Sequence, residues 1–179
     1  TVPNSVKSIG NKAFGSCTAL REITIPNQVS YISSSLFSGC TALSSVTLPN
    51  SITKIYSSAF DNCTALQEIT LPEGLTAIGS SAFYNCSALR SLTIPSTVVD
   101  LTGSAIFNAC KSLSNLNLLP LTPPSIKNSN SSSQYQPLYG TPSTMKINLV
   151  CGAKEAYMAD ANWAKLTYPI NEIFSNILT

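Results

Sequence analysis

Six cysteines, eight carboxylates and no histidine are the side chains of this 179-residue chain that could carry chemistry. Thiolates could ligate a metal, form disulfides or act as nucleophiles, and carboxylates could move protons. No two of Cys17, Cys40, Cys63, Cys86, Cys110 and Cys151 stand only two to four residues apart, and without histidine no mixed thiolate and imidazole site can form. No metal and no cofactor are therefore expected. Redox catalysis lacks a Cys-x-x-Cys pair, and a thiolate nucleophile would need a nearby base that the chain does not offer. Gly-x-Ser-x-Gly, phosphate-loop and dinucleotide fingerprints do not occur either. The inventory predicts that the chain is not an enzyme.

The spacing of the cysteines says what they are instead. Cys17, Cys40, Cys63 and Cys86 are 23 residues apart, as are Pro3, Pro26, Pro49, Pro72 and Pro95, and Cys110 follows after one inserted residue near Gly103. Behind each proline the same order returns, for example Pro49, Ile52, Ile55, Phe60, Cys63, Leu66, Ile69 and Leu71. A period of 20 to 29 residues with this apolar pattern is that of a stacked solenoid, whose copies bury together what one copy cannot. Equivalent cysteines on stacked rungs point the same way with Cβ atoms about 5 Å apart, whereas a disulfide wants about 3.8 Å and converging vectors. Buried free thiols acting as small apolar residues are expected. The inserted residue near Gly103 should sit in a loop.

The elements that position these columns can be read in each copy. Glu22-Ile23-Thr24-Ile25 and Glu68-Ile69-Thr70-Leu71 alternate polar and apolar residues, and the following proline ends the strand by withholding a ladder donor. Stacking would place these strands in a parallel sheet at about 4.8 Å per rung. The return segment, such as Ser57-Ser58-Ala59-Phe60-Asp61-Asn62-Cys63, opens with serines that can cap a helix and carries no proline, which predicts one or two helical turns.

With these columns in place, Pro-x-x-Val-x-x-Ile-Gly-x-x-Ala-Phe-x-x-Cys-x-x-Leu-x-x-Ile-x-Ile resembles the BspA-like leucine-rich repeat family, from residue 2 to about 119. The resemblance implies an α/β repeat solenoid, right-handed, with the parallel β-sheet on the concave face, short helical turns on the convex side and a C-terminal cap. Leu149-Val150-Cys151-Gly152-Ala153, then Tyr157, Trp163 and Ile170 with Glu172, is similar to the closing module that often follows such repeats, although Cys151 stands where that module commonly has proline. The expected organisation is a solenoid of five 23–24-residue repeats over 1–119, an irregular Ser/Pro-rich loop over 120–148 and a capping module over 149–179.

Three surfaces are candidates for work. The first is the exposed side of the strands, where leucine-rich repeats usually bind: Glu22, Ser45, Glu68, Ser91 and Asn115 form one column, and Thr24, Thr47, Thr70, Thr93 and Asn117 the next. Threonine is also simply a good exposed strand residue. The second is the loop that breaks the period, with Tyr135 and Tyr139, the aromatic type that binding surfaces favour. The third, 153–166, carries Tyr157, Met158, Trp163 and Leu166 at helical spacing and reads as a helix closing the core. Glu22 and Glu68 would stand two rungs apart, about 10 Å, on an open sheet with no pocket to raise a pKa. Asn62-Cys63-Thr64, Asn85-Cys86-Ser87 and Asn130-Ser131-Ser132 fit the glycosylation acceptor pattern, the first two dictated by the repeat.

Composition bounds the partners. With 44% apolar and 10% charged residues the chain should fold, and a net charge of +2 without basic runs excludes nucleic acid as an obvious partner. The resemblance implies a secreted or cell-surface protein that adheres to host extracellular-matrix or cell-surface proteins, with any signal or anchor outside this sequence. A spacer or stalk with no ligand is the alternative. An uncapped first repeat would leave an unpaired strand edge, through which two copies could associate end to end.

Overall fold

The computed structural model describes residues 1–126 and 137–173. Two columns of parallel strands run along the stack. In chain order they are β1 (Glu22–Thr24), β2 (Tyr31–Ile32), β3 (Ser45–Thr47), β4 (Lys54–Ile55), β5 (Ala77–Ile78), β6 (Ser91–Ile94), β7 (Asp100–Leu101), β8 (Asn115–Leu118), β9 (Ser125–Ile126), β10 (Lys146–Val150) and β11 (Ile170–Ile173). The first sheet is β1-β3 and, further along, β6-β8-β10-β11; the second is β2-β4-β5-β7-β9. Registers keep the repeat: Glu22 pairs with Ser45, Thr24 with Thr47, and Thr93 with Asn117. Residues 68–71 hold the intervening place in the first sheet without forming a strand.

The return segments are turns, not the helical turns that their serines suggested. Each carries two left-handed residues, Ser35, Ser58, Ser81 or Ala105 and then Gly39, Asn62, Asn85 or Ala109, all with φ between 52° and 77°. No helix continues through such a residue. The phenylalanine N–H groups bond forward to the next rung instead of back along a helix: Phe37 donates to Ala59 O (2.8 Å), Phe60 to Ala82 O (2.8 Å) and Phe83 to Ile106 O (2.9 Å). Those bonds, repeated on every rung, hold the strained left-handed backbone in place.

The stretch expected as an irregular connection continues this ladder at both described ends. β9 pairs with β7, and Phe107 N–H donates to Pro137 O at 2.8 Å, which gives Pro137 the place of Ala82 and Leu138 that of a phenylalanine. Leu138 is buried. In the cap, the helix expected over 153–166 divides into α1 (Lys154–Ala159) and a 3-10 turn (Trp163–Lys165). Asp160 interrupts it, its carboxylate accepting from the N–H groups of Asn162 (2.8 Å) and Trp163 (3.0 Å). Tyr157 and Trp163 are buried edge to face at 5.0 Å and donate to the carbonyls of Pro120 and Pro124. Met158 is exposed.

The core is a set of columns. Phe14, Phe37, Phe60, Phe83 and Phe107 stack with centroids 5.6, 5.4, 5.3 and 5.9 Å apart and planes within 17° of parallel. Beside them Val29, Ile52, Leu75 and Val98, and Leu43, Leu66, Leu89 and Leu113, are fully buried.

Candidate functional site

The cysteine column is part of that core. Cys40 Sγ donates to Phe14 O (2.9 Å), Cys63 to Phe37 O (3.2 Å), Cys86 to Phe60 O (3.2 Å) and Cys110 to Phe83 O (3.1 Å). Each of these carbonyls also accepts the cysteine N–H of its own turn, for example Cys63 N–H to Phe60 O at 3.2 Å, so the thiol from the next rung is a second, weak donor to it. Burial pushes the thiols of Cys40, Cys63 and Cys86 up, and that of Cys110 up to about 12, from an ordinary 9.0. At a given pH these buried thiols hold far less thiolate than an exposed cysteine does. Cys151 is exposed, and so is Cys17, contrary to the expectation that every cysteine of the column is buried. A disulfide-exchange reagent should therefore titrate two of the six thiols promptly in the native protein and the other four only after denaturant. Six prompt thiols would show that the column is open.

The first sheet presents the sequence-predicted residues on one side. Glu22, Thr24, Thr47, Glu68, Thr70 and Thr93 are exposed, with Glu68 and Thr70 in the unpaired 68–71 stretch. Glu22, Thr24 and Thr47 are brought together on a cavity of about 650 Å³ that Phe14, Leu20 and Ile23 also line. Asn117 stands apart. It belongs to an amide ladder in which Asn117 Nδ2 donates to Thr93 Oγ1 (3.1 Å), Asn148 Nδ2 to Asn117 Oδ1 (2.9 Å) and to Asn115 Oδ1 (3.3 Å), and Asn171 Nδ2 to Asn148 Oδ1 (3.4 Å). A second amide contact, Asn85 Nδ2 to Asn62 Oδ1 at 2.8 Å, ties the two repeat-dictated acceptor asparagines together in the turns. Beside it Asp61 takes hydrogen bonds from Ser38 and Asn62, while burial holds its carboxyl above the usual range.

Of the loop tyrosines, Tyr135 lies outside the described residues, as does Asn130, while Tyr139 is exposed on the turn side. There it shares a cavity of about 550 Å³ with Tyr84, a residue that sequence reasoning passed over. Its column holds Ser38, Asp61, Tyr84 and Asn108, so no repeated residue type marked it. Among the described residues no group of three Cys, Asp or Glu side chains could hold a metal ion, and no helix is long and apolar enough to cross a membrane.

The BspA type leucine rich repeat region matches residues 1–114 in six copies. No curated protein matches the chain significantly. Among solved structures, a leucine rich repeat protein of T. pallidum is 25% identical with a TM-score of 0.63, over 95% of this chain and 64% of that one. The pneumococcal vaccine antigen PcpA is 19% identical with a TM-score of 0.72, over 96% and 40%. A leucine-rich repeat protein of Bacteroides ovatus is 20% identical with a TM-score of 0.56, over 96% and 56%. The chain spans less than two thirds of the length of each of these three. Solenoids of this kind are scaffolds for protein interaction rather than a typical enzyme family.

Proposed function

The chain belongs to the BspA-type leucine-rich repeat family, a family of bacterial surface proteins, and from that premise we propose that it is a non-enzymatic, surface-exposed or secreted protein that binds other proteins through its first sheet, adhering to host or neighbouring-cell proteins. The observation that carries this reading is the exposed side of that sheet, where Glu22, Thr24, Thr47, Glu68, Thr70 and Thr93 repeat along the stack. Such a face suits an extended partner held by hydrogen bonds and shape over a wide area. With so few charges on it, affinity should depend only weakly on salt.

The amide ladder favours a second reading. Where Asn117, Asn148 and Asn171 satisfy one another, that end of the face has less capacity left for a ligand, as expected of a spacer that holds another domain away from the cell. The two readings separate on an array of extracellular-matrix and cell-surface proteins, probed with the native chain and with a variant carrying Lys at 22, 24, 47, 68, 70 and 93. The expected result is at least one bound protein whose affinity falls by about tenfold or more in the variant. No binding at all would favour the spacer, and binding that survives the substitutions would move the protein site off the first sheet.

A further inference from the structure

The aromatic side chains that often carry binding energy are not exposed on the first sheet. Among the described residues the exposed large aromatic side chains are Tyr31, Tyr56, Tyr84 and Tyr139, all on the side of the second sheet and the turns. Backbone hydrogen bonds fix their relation: Asn62 N–H donates to Tyr84 O, Asn85 N–H to Asn108 O and Ala109 N–H to Tyr139 O, each one rung further. Tyr84 and Tyr139 therefore occupy one column two rungs apart, about 10 Å at ordinary strand spacing. Both line the 550 Å³ cavity, whose floor includes Ser80, Ser81 and Ser104. A neighbouring cavity of about 280 Å³, bounded by Tyr56 over Gly79 and Gly103, shares Ser80 with it. Taken together as one trough that meets at Ser80, the two are lined by tyrosines, hydroxyls and glycines, with Ile55, Ile78 and Ala105 buried among them.

That lining selects among ligands. An amphipathic helix would need an exposed apolar stripe, but Ile55, Ile78 and Ala105 in this lining are buried. An anion or a nucleic acid would need arginine or lysine forks, but the charges lining the trough are Lys54 and Asp100, of opposite sign and both at the Tyr56 end. A neutral sugar fits both surfaces, because a pyranose offers an apolar C–H face to a tyrosine ring and a rim of hydroxyls to serine. Asn108 holds the rung between the two tyrosines and lines the same cavity, adding an amide to the polar rim. We propose that the trough from Tyr56 to Tyr139 is a carbohydrate-binding site for a neutral glycan, with Tyr84 and Tyr139 gripping one sugar unit. It is separate from the protein-binding face proposed above, in position and in ligand.

Affinity electrophoresis in gels containing dextran, mannan, galactan or a mixed-linkage β-glucan tests this with the native chain and the Tyr84→Ala, Tyr139→Ala and Thr70→Lys variants. Retardation by at least one polysaccharide is expected, weakened about tenfold or more by either tyrosine substitution. It should be unchanged by Thr70→Lys and by about 0.5 M salt, since no charged residue lines the cavity between Tyr84 and Tyr139. Tyr84→Phe, which keeps the ring, should keep most of the binding and guards against a folding defect. Absence of retardation in all four gels would overturn the proposal. So would retardation that both alanine variants retain, or an array protein, rather than a sugar, whose binding is lost with Tyr84 and Tyr139. The Thr70→Lys variant keeps the outcome distinct from that for the first sheet.

Discussion

Phe60→Ala should lower the stability of the chain by about 3 to 5 kcal/mol, the largest loss expected from any single truncation in the stack. Phe60 is fully buried between Phe37 at 5.4 Å and Phe83 at 5.3 Å, both nearly parallel to it. Its removal takes away its own buried surface and leaves both neighbours facing a void. The void cannot close, because the rungs above and below are fixed by turn hydrogen bonds such as Phe37 N–H to Ala59 O and Phe60 N–H to Ala82 O, which the substitution leaves intact. A solenoid rung touches only its neighbours, so no distant contact compensates. Against a total stability of about 5 to 15 kcal/mol, the loss is large enough to move a urea midpoint far. Thr70→Ala, on the exposed side of the first sheet, should cost under about 1 kcal/mol. Equal shifts for the two variants would mean that the buried and exposed faces are reversed.

The contrast between those positions was legible in the sequence, because a 23-residue period assigns every column a side. The same period hid what does not repeat by residue type. The return segments carry serine and asparagine at Ser58 and Asn62, residues that cap helices and that also tolerate left-handed backbone, and nothing in one sequence separates the two uses. What decides is the carbonyl on the next rung, a partner 22 residues away. Two-residue strands such as Lys54–Ile55 are too short to show alternation, so the second sheet was not foreseen. The rung after Phe107 lost its markers altogether: Leu138 replaces phenylalanine, and Thr141 replaces cysteine, its hydroxyl bonding Leu138 O as Thr141 N–H also does. Alternation in Lys146-Ile147-Asn148-Leu149-Val150 was the signal that could have found it. For the candidate sites, the first-sheet columns followed from the period, whereas the pairing of Tyr84 with Tyr139 depends on a rung that the period does not reach.

Gly103→Ala is the second substitution expected to do serious damage, at about 3 kcal/mol. A Cβ at this position would lie 2.5 Å from Ser80 N, 2.6 Å from the Gly79 carbonyl carbon and 2.8 Å from Ser80 Cα. All three are backbone atoms of the preceding rung, so no side chain can rotate aside, and relief requires the rungs to separate. Separation works against two hydrogen bonds that join them here, Ser81 N–H to Ser104 O at 2.8 Å and Ser104 N–H to Ser80 Oγ at 3.2 Å. The inserted residue lies in the irregular stretch that follows β7, as expected, and Gly103 there packs against the previous rung as Gly79 packs against its own. Gly79→Ala meets Ser57 N at 2.8 Å and should cost somewhat less, while Gly10→Ala, with nothing within 4 Å, should be neutral or stabilising by up to about 1 kcal/mol. Urea titration of the three variants should rank them in that order. A Gly103→Ala protein as stable as Gly10→Ala would show that the rungs have slack at this point.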